Sequence, residues 1–333
     1  MTVTADDINV RTLRDDEVRV REATTVICNA AASGSVVDAA TLRGLSAELL
    51  ANIPDDADEL LVIPDGPLHA LPWSLLTDEQ RGGPVGIHRS LVHAASATSY
   101  FALVDRETTR ERDGTDRGEH DLLLVADPSY TDEQIQDPQR RRLMGSAVEA
   151  EMIEKLVGGC TVLRRKEATE ARVVAELPRH RRAHFACHAL EDPDDASHSG
   201  LLLAPPTQQD RERLKNTDDL LETWEVEDLR LACDMVVLAA CSTATGNAEP
   251  GEGLVGLAHA FQLAGTRQVL AALWPVDDAV TARFMKLVYE RMRNTNSLQE
   301  AVRGARASFA TERPAHWAPW IVFGPSPGPR DDE

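Results

Sequence analysis

The chain has 333 residues and a formal net charge of −20. A surface this acidic repels phosphate backbones and anionic lipid, so nucleic acid and membrane are poor partners; it either favours a basic protein or peptide or serves solubility alone. An apolar fraction of 42% suffices for a sizeable core, and the length suits about two structural units.

Residues 1 to 55 are polar and weakly patterned, except that LRGLSAELLANI (42–53) has helical spacing. LLVIP (60–64) reads as a strand stopped by Asp65-Gly66-Pro67. RETTRERDGTDRGEHD (106–121) is charged throughout and marks an exposed boundary. Beyond it, strands and helices alternate. DLLLVADPSY (121–130), CTVLR (160–164), RAHFACH (182–188), LLLAP (201–205), MVVLAAC (235–241) and RQVLAALWPV (267–276) read as strands. SAVEAEMIEKLVGG (146–159), ATEARVVAEL (168–177), LLETWEVEDLRL (220–231), EGLVGLAHAFQLAG (252–265), DDAVTARFMKLVYERMR (277–293) and SLQEAVRGARASFA (297–310) read as helices. Continuous apolar strands separated by helices specify an α/β fold, a mainly parallel sheet covered on both faces. The expected organisation is an N-terminal region 1–118, a main domain 119–324 and a disordered tail 325–333.

No stretch approaches the roughly 18 apolar residues of a membrane span, and the first residues lack the apolar core of a secretory signal. The five cysteines, Cys28, Cys160, Cys187, Cys233 and Cys241, are scattered and form no CxxC. Free thiols in a reducing cytoplasm are expected.

In a parallel sheet, active sites collect at the carboxyl ends of the strands. His188 and Cys241 lie at two such ends and Asp277 and Asp278 follow a third. A thiol beside an imidazole suits acyl transfer, because the ring takes the thiol proton and later delivers it to the leaving group. Small residues flank Cys241 and leave room for a substrate main chain. Strand alternation places His184, Ala186 and His188 on one face and Phe185 and Cys187 on the other. Cys187 is therefore expected as a buried thiol and His184 as a satisfied core histidine. A zinc site from His184, Cys187, His188 and His198 is disfavoured, because the alternation splits the ligands across two faces. GEGLVG (251–256) lacks the Walker lysine, so its glycines are expected to serve a tight turn and a close helix contact.

HFACHAL (184–190), SGLLLAP (199–205), VVLAACSTATG (236–246), GEGLVGLAHAFQLAGTRQVLAALWPVDD (251–278) and HWAPWIVFG (316–324), with LLVIPDGPLHALPWSLL (60–76) and DLLLVADPSY upstream, resemble the CHAT-domain family of caspase-like cysteine peptidases, relatives of caspases and separase. The resemblance covers roughly residues 58 to 324. It implies a caspase–hemoglobinase fold with an upstream degenerate caspase-like unit, and a thiol protease that needs no cofactor and no metal. His188 matches the family's histidine and Cys241 its nucleophile. The backbone N–H groups of Ala189 and Cys241 would form the oxyanion hole. Asp278, with Asp277 second, matches the acid that selects Arg or Lys at the S1 subsite; as a plain structural alternative, the pair caps a helix. The implied setting is bacterial signalling or antiviral defence, with a protein substrate. Two departures stand out: Ala189 replaces the usual glycine, and Ser242 an acidic residue. Many members carry tetratricopeptide repeats and this chain shows none. Control is therefore expected from a separate sensor or activator, from self-association, or from loops 191–200, 205–219 and 242–253, one of which holds Arg211 and Arg213. A weak pseudo-peptidase used as an interaction scaffold is the competing reading, and a small-molecule Cys/His hydrolase a second.

Overall fold

The computed structural model describes residues 2–3, 8–9, 17–113, 120–132, 134, 142–192, 194–213, 217–239, 241–244, 252–295 and 297–326; at 2–3, 8–9, 107–113, 213, 241–244 and 252–254 the description is of the backbone alone. The boundary expected at 118/119 touches residues 114–119, outside the described ones, as does most of the tail.

Eight strands form the main sheet: β1 (Glu59–Val62), β2 (Ser90–His93), β3 (His120–Pro128), β4 (Thr161–Arg165), β5 (His180–Ala186), β9 (Met235–Leu238), β11 (Gln268–Ala272) and β12 (Trp320–Phe323). Their order is β1-β2-β12-β11-β9-β5-β3-β4. Neighbours run parallel except β11 and β12, so β1, β2 and β12 point against the other five. The numbering gaps belong to a second sheet of four strands: β6 (His188–Glu191), β7 (Gly200–Leu202), β8 (Leu220–Glu222) and β10 (Cys241–Ala244), in the order β8-β7-β6-β10.

The apolar runs become central strands because both faces are covered. On one face α4 (Met144–Val157), α8 (Asp278–Thr295) and α9 (Leu298–Ser308) pack together, with Phe284 of α8 stacked on Trp320 of β12 at 5.3 Å between centroids. On the other lies α7 (Glu252–Ala264), whose Phe261 meets Phe185 of β5 at 5.8 Å. Both phenylalanines of that pair are fully buried. Of the shorter helices, α5 (Glu170–Glu176) and α6 (Thr223–Asp228) connect strands.

Helix α2 (Ala39–Leu49) falls on the helical spacing read at 42–53, and the structure differs from the sequence reading in five places. Residues 106–113, read as part of an exposed boundary, belong to α3 (Ala97–Asp113). Residues 17–32, read as unpatterned, form α1 (Glu17–Ala32), which buries the stripe Val20, Thr24, Ile27, Cys28 and Ala31. The stripe is hard to read because a threonine interrupts it. Residues 220–231 are not one helix. Leu220–Glu222 pairs with Gly200–Leu202, and Glu222 then caps α6 through a reciprocal capping box with Glu225. RAHFACH is not one strand either: β5 stops at Ala186 and His188 opens β6 in the other sheet. MVVLAAC divides in the same way, so Cys241 opens β10 instead of ending β9.

Gly200 shows how tightly the second sheet is assembled. A Cβ there would sit 2.4 Å from the Leu221 carbonyl oxygen and 2.9 Å from the Glu222 Cα. Backbone atoms have no rotamer to escape to, so Gly200→Ala is expected to push β7 and β8 apart and cost about 1–3 kcal/mol in urea unfolding. An unchanged midpoint would contradict the pairing.

Candidate functional site

The candidate site forms where β5 and β9 leave the main sheet. Those strands pair in parallel, Phe185 opposite Leu238, an offset of 53 residues (238 − 185). After the crossing to the second sheet the offset is still 53 (241 − 188): His188 is opposite Cys241 and Ala189 opposite Ser242. Neighbouring strand backbones lie about 4.8 Å apart, so the backbones of residues 188 and 241 are adjacent.

His188 is almost fully buried. The ring of Tyr130, from the loop after β3, lies 5.3 Å from its imidazole, and the His188 backbone N–H donates to the Tyr130 Oη at 3.3 Å. Burial pushes the Tyr130 phenol well above its usual range, so it stays protonated. Ala189 is flanked on both sides, by Leu201 of β7 and Ser242 of β10.

The two aspartates divide their work. Asp277, exposed, caps α8: its Oδ1 accepts from the N–H groups of Ala279 (3.0 Å) and Val280 (3.2 Å). Asp278 turns toward α4, and its Oδ2 accepts from the Gly145 N–H at 2.9 Å. Burial raises the Asp278 carboxyl above the ordinary aspartate range; the Gly145 bond and the nearby His188 pull it back, while Asp277 and Asp127 raise it further. Asp278 and His188 therefore share one electrostatic environment. No side chain fits at Gly145, since a Cβ would lie 2.7 Å from the Asp278 Cβ and 2.8 Å from its carbonyl carbon.

The remaining candidates lie elsewhere. Cys187 is fully buried in the main core, and burial raises its thiol far above the usual range. His184 lies in the α4/α8 layer, its Nδ1 3.2 Å from the Tyr289 hydroxyl and its Nε2 3.0 Å from Glu149 Oε1. His198 sits by the β6–β7 turn, 2.8 Å from Glu222, whose hydrogen bond raises its pKa. Among the described residues, no three His, Cys, Asp or Glu side chains gather as a metal cluster. Gly256 does not serve a close helix contact, because a Cβ there meets open space. Within the three candidate loops, residues 193, 214–216 and 245–251 lie outside the described ones.

The CHAT domain model matches residues 34–325. This chain belongs to the CHAT-domain family. It is similar to tetratricopeptide repeat protein 28 of Mus musculus, 31% identical over 210 residues, which are 53% of this chain and 8% of that protein. The Homo sapiens protein of the same name is 26% identical over 296 residues, 80% of this chain and 12% of that one. The CHAT chain thus spans only 8 to 12% of these curated relatives. Among solved structures it is similar to separase in the Saccharomyces cerevisiae separase–securin complex, with a TM-score of 0.52 and 15% identity, over 86% of this chain and 17% of that one. The likeness is one of fold: a mainly parallel sheet between helices, the caspase-like fold.

The sequence pattern had singled out neither Tyr130 nor Gly145 in this CHAT domain. Asp127 was missed too. It adopts a left-handed φ of 44°, and its carboxylate, 4% exposed, accepts from Arg142 (2.9 and 2.7 Å) and Arg165 (3.2 and 3.3 Å). The signal available was ADPSY, a turn directly after an apolar strand. Because the folded-state carboxyl of Asp278 is raised, its ionisation costs stability as the pH climbs through that value, and the cost is absent below the unfolded-state value. An asparagine carbonyl still accepts from Gly145. Asp278→Asn is therefore expected to be more stable than the parent at neutral pH, and to lose that advantage below the ordinary aspartate range. Urea unfolding across pH checks this; an advantage that grows on acidification would contradict it.

Proposed function

We propose that this CHAT domain is a caspase-like cysteine endopeptidase that cleaves a protein partner after Arg or Lys. The observation carrying the reading is the register that makes His188 and Cys241 neighbours on parallel strands at the mouth of the sheet. The Cys241 thiol gives its proton to the His188 imidazole, and the sulfur attacks the scissile carbonyl. The tetrahedral oxyanion collapses to a thioester as the imidazolium returns the proton to the leaving amine. Water, deprotonated by the same ring, then releases the acid. The Cys241 N–H meets the oxyanion. Ala189 lies between two strands, so its N–H joins only if the ladder opens there, a cost of about 1 kcal/mol.

Asp278 sets the basic P1 preference. Its carboxylate is half-buried, fixed by Gly145 and close to His188, which suits a bidentate guanidinium better than a hydrated ammonium. The chemistry needs neither metal nor organic cofactor. A separate activator, a cytoplasmic setting and a role in bacterial signalling or antiviral defence complete the reading. Among the described residues, no helix is long and apolar enough to cross a membrane.

A second reading, an interaction scaffold without turnover, draws on two observations. The similar mouse and human proteins are named for a tetratricopeptide repeat, a helical repeat that stacks into concave binding surfaces. Ala189 is also enclosed by the ladder.

A fluorogenic panel of Arg, Lys and Asp peptides separates the readings. Cleavage after Arg or Lys is expected, lost in Cys241→Ala and in His188→Ala. Asp278→Ala is expected to lower kcat/KM for Arg peptides by about 10²-fold, the effect of removing one partner of a desolvated charge pair. Full activity in Cys241→Ala would sink the protease reading; partner binding without any turnover, with or without Cys241, would favour the scaffold.

A further inference from the structure

Resting on the reading of His188 as the base, we infer that Tyr130 is a positioning residue that fixes the His188 backbone and imidazole at the point where the chain changes sheets. Three observations converge. First, His188 opens β6 two residues after β5 ends at Ala186; its backbone is paired to Leu202 and Cys241, and that pairing leaves the orientation of its imidazole open. A contact from outside both sheets sets it. Second, Tyr130 supplies it twice. Its hydroxyl accepts the His188 backbone N–H at 3.3 Å, and its ring faces the imidazole at 5.3 Å, tilted by 43°. Third, Tyr130 is itself held. It follows Asp127 by three residues, and Asp127 bends the chain with a positive φ, uncommon for a non-glycine residue. Arg142, Arg165 and Ser146 hold it there: the two guanidinia donate to the Asp127 carboxylate, and the Asp127 N–H donates to the Ser146 hydroxyl at 3.2 Å.

The same segment also reaches the proposed specificity acid. Arg142 and Ser146 fix the turn that delivers Tyr130, and Gly145, between them, fixes Asp278. One short segment thereby sets the proposed base and the proposed specificity acid relative to each other. The phenol touches no scissile bond in this scheme. It acts through His188, so its loss changes the ring's orientation and proton affinity.

The test reads the thiol directly and needs no natural substrate. Alkylation of Cys241 by iodoacetamide is followed by peptide-level mass spectrometry as a function of pH, in the parent, His188→Ala, Tyr130→Phe and Tyr130→Leu, each with its Tm. In the parent, a His188-dependent reactivity is expected at pH values below the ordinary thiol range. Tyr130→Phe keeps the ring and removes the acceptor. It is expected to shift the midpoint of that profile and slow alkylation at neutral pH by about fivefold, the effect of one net hydrogen bond. Tyr130→Leu removes the ring contact as well and is expected to slow it by about tenfold or more. Parent-like midpoints and rates in both variants overturn the inference, as does a lowered Tm with an unchanged midpoint, which is the mark of a merely structural residue. A parent profile identical to that of His188→Ala instead removes the dyad reading, and the positioning role falls with it.

Discussion

The site depends on the continuity of one parallel register. Strands β5 and β9 are paired with a fixed offset in the main sheet, and both leave it within three residues of each other's level. Because they re-pair with the same offset in the second sheet, His188 is brought opposite Cys241. A slip of one residue would turn the whole strand over, since side chains alternate faces. The slip is blocked upstream by the buried packing of Phe185, Val236, Val237 and Leu238. The core thereby fixes the register that sets residue 188 opposite residue 241.

Around that pair, polar groups are buried at a cost that the fold offsets locally. His184, Glu149 and Tyr289 meet in the layer between the sheet and α4/α8, where burial raises the Glu149 carboxyl and the histidine draws it back. Higher in the same layer, Gly145 holds Asp278. The two contacts tie α4 to α8 at different levels, so the helices cannot slide without breaking a buried polar contact. A site that must hold a carboxyl at a raised pKa beside an imidazole needs that rigidity.

The fold class was legible because it is written in local pattern: apolar runs of strand length, punctuated by amphipathic helices. His188 and Cys241 stand out in the sequence for the same reason, as chemically capable residues at the ends of such runs, and the structure pairs their backbones. What was not legible is where a strand changes partner. HFACHAL and VVLAAC read as unbroken runs, and nothing in a period of two marks the point at which one sheet hands the chain to another. The supporting residues were hidden for a different reason. Tyr130 meets His188 across 58 residues and Gly145 meets Asp278 across 133, so their roles exist only in the folded chain. Asp277 and Asp278 could be read as cap or acid, and the structure gives the cap to Asp277.

The most direct measurement is a disulfide trap of the register. Residues opposite one another on adjacent parallel strands have Cα atoms about 4.8 Å apart, within the range a disulfide spans. In a chain carrying His188→Cys and Cys187→Ala, mild oxidation should join residue 188 to Cys241, found as a single cross-linked peptide pair. Absence of that pair while both thiols still react with a maleimide, or cross-linking of residue 188 to a different cysteine, would contradict the register and with it the site.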